Sequence, residues 1–201
     1  MIPVAEPEPP PRFNEECRIP GEQWLADNPD EDPHVKPLWG RYRVTLRAAF
    51  HGRCGLLGVY VTEGDIDHWT SLRTDRNLAY RWDNYRYLAG VVNSAKKPVW
   101  EGKLLDPYRV GDGWFEMLVP SCLLRRTDKV PEAERGRADF TLEKVLNKEY
   151  AIALREEWYR KYTQGRASLE TLADVAPLIA RAVTVAHALA AGDRTSTTPR
   201  E

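Results

Sequence analysis

Four polar residues in the middle of the chain, Asp67, His68, Asn84 and Asn93, have the types and the order of a hydrolytic site. Hydrolysis of a phosphodiester needs an activated water and positive charge near the phosphoryl oxygens. His68 suits the first task, because a neutral imidazole with a pKa of about 6.5 can accept a proton at physiological pH. Asp67 and Asn93 offer a carboxylate and an amide oxygen, which are ligands for a hard cation. The residue types therefore predict a metal-assisted hydrolytic site.

The two asparagines also predict how the site is held together. Asn84 is the kind of amide that can fix the loop carrying His68 by hydrogen bonds to its backbone. Asn93 opens the run "NSAKK", so we expect it to cap a helix and to turn its carbonyl oxygen towards the metal. Lys96 and Lys97 then fall on the first turn of that helix, beside the site.

Around these residues the chain resembles the HNH endonucleases, whose site is a ββα-metal finger. The resemblance covers residues 50–125 and rests on "GRCGLLGVYV", "DIDHWTSL", "YRWDNYRYLAGVVNSAKK" and "LLDPYRVGDGWFEMLVPS". It implies that His68 is the general base, Asp67 and Asn93 ligate Mg²⁺ or Mn²⁺, and Asn84 is a positioning residue. Within the family, the chain resembles HNH proteins of bacterial antiphage systems, including the Septu and retron-associated types. The resemblance thus implies a DNA endonuclease that acts as a defence effector beside an ATPase partner.

The chain departs from many of those relatives where they carry a zinc knuckle of two cysteine pairs. Here Cys54 is followed by Leu57, and the positions of the second pair are Ala89 and Val92. One thiolate cannot make a four-ligand zinc site. We therefore expect no structural zinc, with apolar packing in its place.

A second interpretation stays open beside the nuclease. The missing knuckle, and Asn93 at a position where the strongest HNH sites have histidine, are also compatible with a catalytically weakened subunit that binds nucleic acid or serves as a scaffold. For an active nuclease, RNA and single-stranded DNA stay open as substrates.

The charge of the chain is unevenly distributed. The net charge is −1, but residues 1–40 carry three basic and nine acidic groups, whereas residues 41–130 carry fifteen basic and ten acidic groups. The basic excess lies on the predicted catalytic segment, where Lys96, Lys97 and Arg86 are our candidates for phosphate contacts. The alternative to a phosphate contact, for any single arginine, is a solvent-exposed ion pair within the protein.

The order of the segments predicts an α+β protein with a ββα-metal (HNH) core, an N-terminal extended arm and a C-terminal helical extension. Residues 1–36 are rich in proline and acid, which predicts a partly disordered arm, with Trp24 and Leu25 as anchors. Residues 37–130 form the expected nuclease core, residues 131–192 the helical extension and residues 193–201 a disordered tail. No apolar stretch reaches membrane-spanning length, and the N-terminus lacks signal-peptide features, so we expect a cytoplasmic protein.

Hydrophobic spacing predicts the individual elements. A four-residue period predicts a helix over residues 38–50, and residues 56–69 read as a hairpin that delivers His68. We expect a helical turn over residues 82–89, and a strand, a Gly-Asp-Gly turn and a second strand over residues 104–121. The C-terminal region reads as helices, with Ser168 as an N-cap and Pro177 as a break.

Overall fold

The computed structural model describes residues 1–195 and has a mixed α+β architecture. Seven α-helices occur within these residues: α1 Ile19–Asp27, α2 Arg43–Ala49, α3 Gly90–Ala95, α4 Glu132–Thr141, α5 Glu149–Thr163, α6 Leu169–Val175 and α7 Pro177–Thr195. The four strands are β1 Asp65–His68, β2 Tyr85–Leu88, β3 Phe115–Leu118 and β4 Leu123–Arg126. They form two antiparallel pairs, β1 with β2 and β3 with β4.

The β1–β2 pair and the helix that follows it position the predicted site. In the register of this pair, Asp67 lies opposite Arg86, and His68 lies opposite Tyr85. All four residues of β2 are buried. α3 begins two residues after β2 ends, and it contacts β1.

Three local predictions for this region differ from the structure. The helical turn predicted over residues 82–89 is present only as a 3₁₀ turn, Trp82–Asn84. Residues 85–88 form a buried strand, whose backbone groups are hydrogen-bonded by pairing with β1. Residues 56–69 do not form a hairpin; β1 instead pairs with a strand much later in the chain. Asn93 does not cap α3 either. Ala89 has the N-cap position, and Asn93 lies inside the helix.

The N-terminal segment lies against the core. Residues 1–10 have no helix or strand, as expected for an extended arm, but Met1 and Ile2 are buried. A π-helical turn over Asn14–Arg18 leads into α1. The Phe13 ring packs edge-on against Tyr42 and Trp82, and Leu25 is buried as an anchor, as predicted. The proline and acid content indicated disorder, but the buried aromatic contacts of Phe13 stabilise the fold of this segment.

The predicted helix over residues 38–50 is present as a 3₁₀ turn, Leu38–Tyr42, followed by α2. In the segment after the site, β3 forms as expected, whereas residues 104–106 form no strand and Pro107–Arg109 is a single helical turn. The partner of β3 is β4, which comes after it in the chain.

The C-terminal region is helical as predicted. The Ser168 hydroxyl accepts a hydrogen bond from the Thr171 backbone N–H and caps α6. Pro177 begins α7 directly after the break, where its fixed φ and missing N–H are tolerated. Residues 193–195 belong to α7 instead of a disordered tail, and the rest of that predicted tail lies outside the described residues.

Candidate functional site

A cleft of about 210 Å³ lies between β1 and α3. The predicted residues that line it are Asp67, His68, Asn93, Lys96 and Lys97. Asn84 and Arg86 line a second depression instead, and Trp69 borders both. The structure therefore brings five of the seven predicted site residues to one cleft and places the other two beside it.

The His68 ring is held in one tautomer. Its Nε2 lies 3.1 Å from the Ala79 carbonyl oxygen. Because a carbonyl oxygen can only accept, Nε2 carries the hydrogen and Nδ1 keeps its lone pair. Within residues 1–195 no hydrogen bond to Nδ1 is present. The Trp39 and Tyr85 rings meet the imidazole edge-on, at centroid distances of 4.7 and 5.3 Å.

The surroundings of His68 keep the imidazole neutral. Burial lowers the pKa of His68 from 6.5 to about 4, and the hydrogen bond to Ala79 opposes this shift only in part. The positive charge of nearby Lys96 lowers the pKa further. At neutral pH the ring is therefore available as a proton acceptor, although a weak one.

Asn84 makes the hydrogen bonds that its predicted positioning role requires. Its Oδ1 accepts from the Thr70 backbone N–H at 2.8 Å, and its Nδ2 donates to the Thr70 and Leu78 carbonyls at 3.1 and 3.4 Å. The Asn84 carbonyl also accepts from the Trp69 N–H at 2.8 Å. These bonds fix the loop that directly follows His68.

Asp67 is paired with a side chain of the protein itself. The Lys96 Nζ lies 2.6 Å from Asp67 Oδ2, and both groups are largely buried. Burial raises the pKa of Asp67, and the charge and hydrogen bond of Lys96 act in the opposite direction. Lys96 therefore favours the charged form of a carboxyl group that burial alone would neutralise.

The Lys96 ammonium group also affects whether the site can bind the metal ion that the HNH resemblance implies. Among the described residues, no group of three or more His, Cys, Asp or Glu side chains is arranged to hold a metal ion. Asp67 is the carboxylate predicted to bind the ion, and its Oδ2 is taken by Lys96. The positive charge of the ammonium repels a divalent cation that would bind the same carboxylate. With Lys96 in this position, the residues present do not fit Mg²⁺ or Mn²⁺.

Arg86, predicted to contact phosphate, is tied into the fold. Its Nε and Nη2 donate to the two carboxylate oxygens of Asp106, at 2.7 and 2.6 Å. Its Nη1 donates to the Asp83 and Tyr85 carbonyls, and the guanidinium lies 3.6 Å from the Tyr108 ring centroid. A phosphate contact would require this buried arrangement to open.

Two further ionisable residues line the cleft, and the sequence did not single them out for it. His34 comes from the N-terminal segment, and its ring centroid lies 6.3 Å from that of His68. Glu101 accepts hydrogen bonds from the Ser71 N–H and the Thr74 hydroxyl, at 3.1 and 2.5 Å. Neither residue belongs to a local motif, so only the folded chain brings them to the cleft.

No family model, no curated protein and no solved structure matches this chain. Across residues 1–195, none of the helices has both the length and the apolar composition needed to cross a bilayer. All three cysteines are free and buried.

Proposed function

We propose that this chain is an HNH-type endonuclease that hydrolyses phosphodiester bonds of DNA in the cleft between β1 and α3. The observation that carries the proposal is His68, a neutral imidazole with a free Nδ1, in one cleft with Lys96 and Lys97. The succession of strand, strand and helix in β1, β2 and α3 is the order of elements expected for a ββα finger. We base the proposal on this arrangement together with the sequence resemblance.

In this proposal, His68 Nδ1 accepts a proton from the water that attacks the phosphorus atom. The ester bond between phosphorus and the leaving oxygen breaks, and that oxygen takes a proton from solvent water. A phosphate bound in the cleft places negative charge beside the ring, which raises the pKa of His68 towards the range in which a general base is effective. Lys97 contributes exposed positive charge at the rim, and Asn84 keeps the loop after His68 in place. No step is assigned to a divalent ion, because the residues present do not fit one.

The test is cleavage of supercoiled plasmid and of a single-stranded oligonucleotide, each with Mg²⁺, Mn²⁺ or EDTA. We expect His68→Ala to lower the cleavage rate by about 10²- to 10⁴-fold, the usual contribution of a general base. His187→Ala, at an exposed position on α7, is the matched control and should cleave like the wild type. Cleavage that is equal in His68→Ala and wild type contradicts the proposal, and an RNA substrate run in parallel decides between the nucleic acids.

The second candidate is a binding or scaffolding subunit, and two observations favour it. The negative charge of Asp67 is compensated by its ion pair with Lys96. The low pKa of His68 makes the imidazole a weak base. This candidate predicts salt-dependent binding of DNA without cleavage under any of the conditions above. Binding measured on the same oligonucleotide separates it from the nuclease.

The defence role, the ATPase partner and the cytoplasmic location are also proposals, and their support is the sequence resemblance. If an ATPase controls the site, cleavage should depend on the partner and on ATP. Plasmid cleavage by the chain alone, and by the chain with a candidate ATPase and ATP, tests that dependence. Equal rates in both assays would contradict control by the partner.

A further inference from the structure

The Lys96 ammonium group is surrounded as a bound cation would be. It lies 2.6 Å from the Asp67 carboxylate, 3.1 Å from the His68 carbonyl oxygen and 3.0 Å from the Trp69 carbonyl oxygen. Three N–H donors thus meet three oxygen acceptors. The Trp69 ring covers the group at 4.6 Å from Nζ to the ring centroid, a cation–π distance. The side chain is only 14% exposed.

One carboxylate and two backbone carbonyls are also the oxygen types that a hard divalent cation uses in proteins. The distances here are those of N–H···O hydrogen bonds, which are longer than the roughly 2.0–2.1 Å that Mg²⁺ demands. For a divalent ion to bind these oxygens, the ammonium would have to leave three hydrogen bonds and the face of Trp69. The ion would also have to lose part of its own hydration shell, which Mg²⁺ does reluctantly.

We infer that Lys96 is the resident cation of this cleft, and that Lys96 takes the place of the divalent metal ion that the HNH resemblance implies. The ammonium compensates the charge of Asp67, ties α3 to the end of β1 and directs positive charge into the cleft beside His68. The part of this inference that concerns phosphate substrates rests on the proposed nuclease function; the part that concerns ions does not. As a consequence, the wild-type site should have little affinity for divalent ions, and phosphate recognition should not require them.

The ion part is tested with Mn²⁺ alone, by electron paramagnetic resonance of the free ion and without nucleic acid. We expect wild type to show no saturable site at millimolar Mn²⁺. We expect Lys96→Ala to bind one Mn²⁺ at least about tenfold more tightly, because the competing charge is gone, and Lys96→Ala with Asp67→Asn to lose that site. Lys97→Ala is the matched control, since this lysine lines the same cleft but is exposed, and it should behave like wild type.

Two results overturn the inference. One is a wild-type Mn²⁺ site that Asp67→Asn abolishes. The other is Mn²⁺ binding by Lys96→Ala that is no tighter than that of Lys97→Ala. If Lys96→Ala does not fold, the ammonium signal of Lys96 in a ¹H–¹⁵N correlation spectrum of wild type decides the question. A protected signal that persists in millimolar Mg²⁺ supports the inference, and a signal that Mg²⁺ removes overturns it.

The plasmid assay separates this inference from the proposed function. Cleavage in EDTA that His68→Ala abolishes supports both. Cleavage that appears only with a divalent ion keeps the nuclease but overturns Lys96 as its cation. Absence of cleavage under all conditions removes the nuclease, and the Mn²⁺ measurements then still decide which cation the Asp67 oxygens bind.

Discussion

Two buried ion pairs lie beside strands β1 and β2. Each includes one strand residue, and these two residues are opposite each other in the strand register. Asp67 on β1 pairs with Lys96, and Arg86 on β2 pairs with Asp106. Both cations lie over the Trp69 ring, with Arg86 at 5.7 Å from its centroid. The Arg86 pair is bidentate and further closed by two carbonyls, whereas the Asp67 pair has one contact between charged groups and borders an open cleft.

This difference indicates that the two ion pairs have different roles. A bidentate pair that is surrounded by protein holds a single geometry, so the Arg86 pair serves the fold. The Lys96 pair is next to His68 and solvent, where its charges can act on a ligand. A buried charge is costly when its partner is removed, but a charge beside a cleft can be rehydrated. The two sides should therefore respond differently to substitution.

The largest effect is expected on the Arg86 side. Arg86→Ala removes the charge partner of the largely buried Asp106 carboxylate and four hydrogen bonds, which should lower the free energy of unfolding by about 3–5 kcal/mol. Urea unfolding measures the loss. Arg81→Ala, which removes an exposed pair with Asp83, is the control and should cost less than about 1 kcal/mol. Equal losses in the two variants would remove the structural role that we assign to Arg86.

On the cleft side, the neutral state of His68 should appear as a dependence of stability on pH. The pKa of His68 is about 4 in the folded chain against 6.5 as its ordinary value, so between these values the unfolded chain binds a proton that the folded chain does not. Stability is therefore lost as the pH falls through this window, by about 3 kcal/mol from His68 alone.

This dependence is isolated by measuring the free energy of unfolding against pH for wild type, His68→Gln and the exposed control His187→Gln. Wild type and the control should lose about 3 kcal/mol more than His68→Gln between pH 6.5 and about 4. Parallel curves for all three proteins would show that the folded chain does not hold His68 neutral.

An intermediate effect on stability is expected for Asn84, which holds the loop after His68. Asn84→Ala removes the hydrogen bonds to Thr70 and Leu78 and leaves the partly buried backbone groups of Thr70 without these partners, which should cost about 1–3 kcal/mol of unfolding free energy. Amide hydrogen exchange at Thr70 should accelerate as well. Asn77→Ala, at an exposed position, should change stability by less than about 0.5 kcal/mol. Unchanged exchange at Thr70 would contradict the role of Asn84.

The smallest effect on stability is expected at the rim of the cleft. Lys97→Ala should change the free energy of unfolding by less than about 0.5 kcal/mol. If Lys97 contacts phosphate, the variant should bind a DNA oligonucleotide more weakly, with the salt dependence of log K reduced by about 1. Lys103→Ala, an exposed lysine outside the cleft lining, is the control. A salt dependence equal to that of the control would exclude Lys97 from the DNA contact.

Local sequence signals predicted the parts of the fold that depend on local interactions. The Ser168 cap is a bond between neighbours three residues apart, and the break at Pro177 follows from one ring and one missing N–H, so both could be derived without the fold. Asn84 was predicted to fix the loop that carries His68, and its role in a site stays a prediction. A side-chain amide next to a loop can hydrogen-bond the loop's backbone groups, and the structure shows such bonds from Asn84 to Thr70.

Only the tertiary structure decided what the site residues do to one another. Asp67 and Lys96 are separated by 29 positions, and they meet because β2 pairs with β1 and α3 returns over it. The sequence suggested that Asp67 binds a metal ion and that Lys96 contacts phosphate. It did not show that the two side chains would form an ion pair with each other. The same holds for Arg86, whose partner Asp106 lies 20 positions away. Residue type limits which contacts a side chain can make, whereas long-range packing determines which contact forms and how deeply it is buried.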